Sequence, residues 1–140
     1  MLNLTKRIYQ YFFDLPDKLY PFKAEIEGRW VRGRESYKQS IEKAVSAYGP
    51  GRFGYKLTIY RQAWHLVGTL LVIILATILA RNIFGSDVAL YVLLGVVVLG
   101  VTYQEFYHHP KIYNQRINKS VTDWSVWVLP IMIYLFLFLH

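Results

Sequence analysis

Residues 104–110 read QEFYHHP and carry the side chains of this chain best suited to chemistry. Glu105 precedes His108 and His109 by three and four residues, so all three would share one face of a helix. A carboxylate and two imidazoles at this spacing could hold a metal, move a proton or pair with one another. Which role applies depends on the elements that position the motif.

The composition is typical of a membrane protein with basic flanks. The 140 residues are 54% hydrophobic, with a formal net charge of +7 and a mean hydropathy of +0.24. The absence of cysteine excludes disulfide frameworks, thiolate metal sites and cysteine nucleophiles. Only four histidines are present, too few for a membrane hydroxylase with a diiron centre.

Three apolar stretches are long enough to cross a bilayer as helices, which takes about 20 residues. They cover residues 62–80, 87–107 and 123–140, and Pro130 is expected to kink the third. The first stretch begins too far from the start of the chain to act as a cleaved signal peptide. All three are therefore expected to remain in the mature protein.

The distribution of Lys and Arg predicts the orientation. Twelve of the sixteen lie in residues 1–61, one in the turn after the first span, and three between the second and third spans. We expect an inner-membrane protein with a cytoplasmic N-terminus and a C-terminus on the opposite side. The basic face favours anionic lipid headgroups as partners, and no nucleic-acid-binding signature is present.

Residues 1–61 are predicted to form a basic, interfacial helical region, preceding a membrane domain of residues 62–140. Residues 2–15 have the spacing of an amphipathic helix whose apolar face would lie at the membrane interface. This face holds Leu4, Ile8, Tyr11, Phe12 and Leu15. Helical spacing recurs at Phe22, Ile26 and Trp30 and again over residues 35–48, before a Gly/Pro-rich linker at 49–54. The predicted fold class is all-α.

Three spans that cross the membrane in alternating directions would bring charged side chains together at the cytoplasmic end of the bundle. This predicted cluster comprises Arg61, His65, Glu105, His108, His109 and Asp123. His65 shares a helix face with small residues on which helices pack, so it is expected to point inward. Asp123, at the start of the third stretch, is explained as a carboxylate complementing a helix N-terminus. Trp64, Trp124 and Trp127 are expected at the membrane interface.

Three interpretations of this cluster stay open. A metal site would use Glu105, His109 or His108, and His65, but a single E-x-x-H pair is a weak signal. A proton relay or pH-sensitive gate would use the histidines, although no acidic residue lies in the middle of a span. An interfacial salt-bridge cluster that sets helix register is favoured over both. No catalytic residue, cofactor or metal is predicted, and phosphate-binding and hydrolase motifs are absent.

The sequence thus favours a small subunit or scaffold of a homo- or hetero-oligomeric membrane assembly. A three-helix bundle encloses little interior, whereas its apolar faces and amphipathic arm need partners. An oligomeric pore or proton-conducting channel, gated at the cytoplasmic end, is the first alternative. A membrane-surface enzyme acting on lipid or quinone headgroups through the Glu/His cluster is the second.

Overall fold

The computed structural model describes residues 4, 6, 7, 10, 11, 14–49 and 52–139, with the side chain of residue 139 excepted. The chain is mostly helical, at 80%. It divides into two compact units, Met1–Thr58 and Ile59–His140.

Between residues 14 and 49, the first unit contains two helices and a two-stranded sheet. Helix α1 spans Leu15–Lys18, strands β1 and β2 span Ala24–Ile26 and Arg29–Val31, and helix α2 spans Arg34–Tyr48. Helix α2 lies within one residue of the helix expected from the apolar spacing. It ends at Gly49, whose positive φ of 83° favours glycine.

The prediction that Phe22, Ile26 and Trp30 lie on a helix is wrong, because this segment forms a short hairpin within a chain that is mostly helical. Strands β1 and β2 pair antiparallel, with Ala24 opposite Val31 and Ile26 opposite Arg29. The two turn residues, Glu27 and Gly28, have φ values of 49° and 76°. Two positive φ values are typical of the tight hairpin turn whose twist matches that of the strands. The tight turn and the hydrogen bonds between the two strands determine the structure of this segment, despite the helical spacing of its apolar residues.

Helix α2 packs against this hairpin through side-chain hydrogen bonds to its backbone. Ser36 Oγ donates to the carbonyl oxygen of Phe22 at 2.6 Å, and Gln39 Nε2 donates to that of Glu25 at 2.9 Å. Tyr20 is buried, with its ring 5.2 Å from that of Tyr37 in an edge-to-face arrangement. These contacts give the first unit a small core of its own.

The predicted amphipathic helix over residues 2–15 falls largely outside the described residues, as do Ile8 and Phe12. The residues described between 4 and 11 are helical. Leu4 and Tyr11 are exposed, Leu15 is half-buried, and Lys18 Nζ lies 4.8 Å from the centroid of the Tyr11 ring.

Three long helices form the second unit, and each is long and apolar enough to cross a membrane. Helix α3 spans Tyr55–Ile78 and continues as a π-helical turn, Leu79–Ile83. Helix α4 spans Asp87–Tyr103, passes through a second π-helical turn at Gln104–His108, and continues as α5, His109–Tyr113. Helix α6 spans Ile117–Leu139 and includes Pro130 without interruption. The chain is therefore consistent with a membrane protein.

The interior of this bundle is apolar along most of its length. Ala80, Leu90, Leu94 and Ile131 are fully buried in one cluster with Ile73 and Ala76. Within it, Thr77 Oγ1 and Tyr134 Oη share a hydrogen bond of 2.8 Å. Packing of this kind fills the middle of the bundle and leaves the charged groups to its two ends.

The second and third spans differ from the predicted ranges near Pro110. The second span continues to Tyr113 instead of ending near residue 107, and the third helix begins at Ile117, six residues before Asp123. Proline removes a helical N–H donor and crowds the preceding turn, which the π-helical turn at Gln104–His108 accommodates. Asn114 then ends the helix with a φ of 49°.

Candidate functional site: a buried polar cluster at one end of the bundle

Eight polar side chains from the three long helices and the loop before α6 meet at one end of the second unit. We call this group the polar end cluster. It consists of Gln62, His65, Glu105, His109, Gln115, Lys119, Ser120 and Asp123.

Asp123 is the most heavily bonded carboxylate of the cluster. Asp123 is 2% exposed, and Lys119 Nζ donates to its Oδ2 at 2.7 Å. Gln62 Nε2, from helix α3, donates to the other carboxylate oxygen. The expectation that Asp123 starts a helix is wrong, because α6 begins at Ile117. The carboxylate joins two helices and makes no use of the helix N-terminus.

Glu105 is the second buried carboxylate, at 3% exposure. Its Oε2 accepts a hydrogen bond of 2.8 Å from Gln115 Nε2, and its Oε1 lies 3.2 Å from His109 Nδ1. A carboxylate removed from water needs such partners, because its desolvation is costly. Glu105 therefore has the compensation that its place at the edge of an apolar span requires.

Gln115 and Lys119 join the two carboxylates into one network. Lys119 Nζ donates to Gln115 Oε1 at 2.9 Å as well as to Asp123. The Gln115 amide donates to Glu105 and also to Ser120 Oγ at 3.1 Å. A path of hydrogen bonds thus runs from helix α3 through α6 to the turn that contains Glu105. Networks whose members are all bonded make a protein interior more rigid.

His65 lies on the α3 side of the cluster and faces into the bundle. Its Nδ1 is 3.3 Å from Gln62 Oε1 and 3.9 Å from Asp123 Oδ1. Its ring centroid is 6.1 Å from that of Trp127 on α6. One turn further along α3, Gly68 allows close approach of the Trp127 ring, since a Cβ there would lie 2.9 Å from Trp127 Cη2. This face of α3 thus packs against α6.

The two ring nitrogens of His109 have different partners. Nε2 lies 3.2 Å from the amide nitrogen of Gln104, which can only donate, so this nitrogen acts as the acceptor. Nδ1 is buried and lies 3.2 Å from Glu105 Oε1, at an ion-pair distance but outside hydrogen-bond geometry. The contact of His109 with Glu105 is therefore one of close charge pairing.

His108 and Arg61, which were also predicted in the cluster, are placed differently. His108 contacts the rings of His109 and Tyr113 and lines a surface groove with Gly100, Tyr103 and Gln104. The π-helical turn explains why it does not share the position of His109 beside Glu105. Arg61 is half-buried one turn before His65, within range for their charges to interact.

The three candidate metal ligands belong to two separate contacts. Glu105 pairs with His109, whereas His65 faces Asp123 and Gln62. Across the described residues, no three His, Asp or Glu side chains are arranged to hold a metal ion. The arrangement is suited to pairing charges with one another.

The tryptophans expected at the membrane interface include two that pack between helices. Trp124 Nε1 donates to Thr102 Oγ1 at 2.9 Å and its ring meets that of Phe106 edge to face. Trp127 packs on Gly68, and Trp64 lies beside Tyr60 on α3. The two tryptophans of α6 thus contribute contacts just inside the polar end cluster.

Sequence reasoning missed Gln62, Gln115, Lys119 and Ser120. The glutamines carry no charge and lie at a span end or in a loop, where no periodic signal singles them out. One signal was present: Gln115, Lys119 and Asp123 are four residues apart, the spacing of neighbours on one helix face. The predicted boundary at residue 123 concealed this spacing.

Replacing Glu105 by glutamine is expected to lower the free energy of unfolding by only about 1 kcal/mol, the net contribution of one hydrogen bond. Glutamine keeps the shape of the side chain and an oxygen that accepts from Gln115. Glu105→Ala is expected to cost about 3 kcal/mol, because the Gln115 amide loses an acceptor and the removed side chain leaves a cavity. Unfolding in mild detergent measures both. Equal losses for the two variants would contradict this account.

Comparison of the chain with family models, curated proteins and solved structures finds no match.

Proposed function

We propose that this chain is a small structural subunit, or scaffold, of a homo- or hetero-oligomeric membrane assembly. The observation that supports this most is a contrast between inside and outside. The buried charges satisfy one another within one chain, while the outer faces of all three long helices remain apolar and exposed.

The polar end cluster has the features of a device that holds helices in register. Its hydrogen bonds connect α3, α6 and the turn after α4, so sliding or rotating one helix would break several of them. Both carboxylates are almost fully buried and each is engaged by two partners. A group that must bind or transform a substrate needs access to it, which neither carboxylate has.

The outer faces of the bundle are broad in comparison with its core. Between 11 and 22% of the residues in each apolar stretch are buried inside the chain, so most of each helix surface is left to other contacts. Exposed apolar residues on α6 alone include Leu129, Met132, Ile133, Phe136 and Leu137. Lipid tails and neighbouring helices can both cover such faces. A chain whose own helices share so little surface gains stability from further helices.

The same packing disfavours a channel through a single chain. Leu90, Leu94 and Ile131 fill the middle of the bundle. A pore would therefore have to form between copies, and the buried charges of the polar end cluster would not line it. An enzyme acting on lipid or quinone headgroups would need Glu105 or Asp123 to reach the bilayer surface, and both are buried.

The proposal includes a location and an orientation. Twelve of the sixteen Lys and Arg residues precede the first apolar stretch, which supports insertion in the inner membrane with residues 1–61 on the cytoplasmic side. The polar end cluster would then lie near the cytoplasmic face, and the π-helical turn Leu79–Ile83 near the opposite one.

Native mass spectrometry of the untagged protein, extracted gently in its own lipids, tests the proposal. We expect a defined oligomer or a stoichiometric second chain, because the apolar outer faces favour association. The matched control is the same preparation taken through a harsh detergent, which should release monomers. A monomer without a second chain under the gentle conditions would refute the assembly role. Ion conductance of the pure protein in a planar bilayer would instead support the pore.

A further inference from the structure

The surface of the second span contains a groove that shares only His109 with the polar end cluster. It has a volume of about 370 Å³, opens outward, and is lined by Gly100, Tyr103, Gln104, His108 and His109. From this groove and its surroundings we infer a binding site for one anionic phospholipid. The inference rests on the placement of the three long helices in a membrane, as proposed above.

The chemistry along the groove changes in the order that a phospholipid requires. At one end, Gly100 is exposed and a Cβ built on it would meet nothing within 4 Å, so the helix surface has an open slot there. Exposed Val92, Val96 and Leu99 continue the helix surface away from this slot toward the start of α4. An acyl chain fits an apolar slot that leads along a membrane-spanning helix.

The middle of the groove is aromatic and amphipathic. Tyr103 and Tyr107 are about half-exposed and their rings stack with centroids 5.2 Å apart. Beside them, the exposed Gln104 amide provides hydrogen-bonding groups at the same level. Tyrosines of this kind lie where acyl chains give way to headgroups, because one end of the side chain is apolar and the other polar. The glycerol and ester groups of the lipid would lie here.

The far end of this face is basic. His108 lines the groove, and the exposed Lys111 places its Nζ 5.4 Å from the centroid of the Tyr107 ring. The nearest carboxylate along the chain, Glu105, is 3% exposed and is occupied by Gln115 and His109. A lipid phosphate at this end would therefore meet an imidazole and an ammonium group without an opposing surface carboxylate from this turn.

Two comparisons favour an anionic phospholipid over other ligands. A zwitterionic lipid would fill the same apolar slot but would gain less from Lys111, because its headgroup carries no net charge. A partner helix would cover the exposed Tyr103 and Val96 but would not need a basic group at one end. The combination of an open apolar slot with a basic terminus specifies an amphipathic anion.

Native mass spectrometry of the full chain in a neutral detergent, titrated with dioleoyl phosphatidylglycerol or dioleoyl phosphatidylcholine, tests the site. The two lipids share acyl chains and differ in headgroup charge. Gly100→Leu fills the slot and is expected to weaken binding of both lipids about tenfold, the equivalent of losing about two buried methylene groups. Lys111→Ala is expected to weaken phosphatidylglycerol binding about fivefold and to leave phosphatidylcholine unchanged.

The chain offers a matched control for each variant. Gly95→Leu adds the same side chain to the same helix at a second glycine whose Cβ position is open, outside the groove. Lys43→Ala removes the same charge from an exposed position on α2. Both should leave binding of the two lipids unchanged. The site is refuted if Gly95→Leu weakens lipid binding as much as Gly100→Leu, or if Lys43→Ala weakens it as much as Lys111→Ala.

The outcome can be separated from that of the assembly proposal. Lipid binding is read from adduct masses on whichever species is present, so a monomer is as informative as an oligomer. Loss of a second chain or of the oligomer in Gly100→Leu, with unchanged lipid binding, would mean that a protein occupies the groove and would overturn the lipid site.

Discussion

Replacing Asp123 by alanine is expected to lower the free energy of unfolding by about 3–5 kcal/mol, the typical cost of breaking a buried ion pair. Asp123 is 2% exposed, and its loss removes the carboxylate to which the half-buried Lys119 ammonium donates at 2.7 Å. It also removes the acceptor for the Gln62 amide on α3. Unfolding in mild detergent, followed by tryptophan fluorescence, measures the loss.

Two further variants sharpen this test. Asp87→Ala removes the same charge from an exposed position in the first turn of α4, and about 1 kcal/mol or less should be lost there. The double variant Lys119→Met with Asp123→Leu should recover most of the stability, because well-packed apolar residues often replace a buried pair without cost. Equal losses for Asp123→Ala and Asp87→Ala would show that the polar end cluster contributes little to the bundle.

Replacing Gly68 by valine is expected to lower the free energy of unfolding by about 2–3 kcal/mol, within the range for an overpacked core. A Cβ on Gly68 would lie 2.9 Å from Trp127 Cη2 and 3.3 Å from Cζ2. The indole ring is rigid, and its neighbour His65 leaves little room for it to turn, so α3 and α6 must separate. The same unfolding measurement applies.

Gly95→Val is the control for this substitution. A Cβ at Gly95 meets nothing within 4 Å, so valine there should change stability by no more than the difference in helix propensity, a few tenths of a kcal/mol. Trp127→Leu, which replaces the indole ring with a smaller side chain, should recover part of the free energy of unfolding lost in Gly68→Val. A similar loss for both glycines would contradict close packing of Trp127 on α3.

The three long apolar helices could be predicted from the sequence because long charge-free runs are a local signal. Their ends were harder to predict. Residues 117–122 are mostly polar, yet they extend α6 by almost two turns because Lys119 and Ser120 find partners in the cluster. The second span was predicted to end near residue 107, but a π-helical turn before Pro110 lets the helix continue to Tyr113. The first difference arises from tertiary contacts and the second from a change of helix type, and neither is visible in the apolar pattern.

The hairpin was missed for a different reason. Its turn uses Glu27 in a left-handed conformation, where Asn or Asp is far more usual, so the local turn signal is weak. Phe22, Ile26 and Trp30 also have helical spacing by coincidence. Only the pairing of β1 with β2 and the hydrogen bonds from Ser36 and Gln39 favour the hairpin over a helix.

The candidate site could be predicted in part. Glu105, His109, His65 and Asp123 do lie at one end of the bundle, since antiparallel helices of similar length bring alternate ends together. The amides that connect them could not be foreseen, because glutamine is common on protein surfaces and carries no charge. His108 was placed beside Glu105 on the assumption of a regular α-helix, which the π-helical turn does not satisfy.

The π-helical turn at Gln104–His108 also makes the chain sensitive to its own length at this point. A π-helical turn holds about one more residue than an α-helical turn, so removing one residue between Glu105 and His109 would let this segment close into a regular α-helix. His109 would then follow Glu105 by three residues instead of four, and Lys111 would lie one residue nearer to Gly100 and Tyr103 along the helix. A deletion of one residue here would therefore alter the buried contact of Glu105 with His109 and the outer groove together, whereas most substitutions reach only one of them.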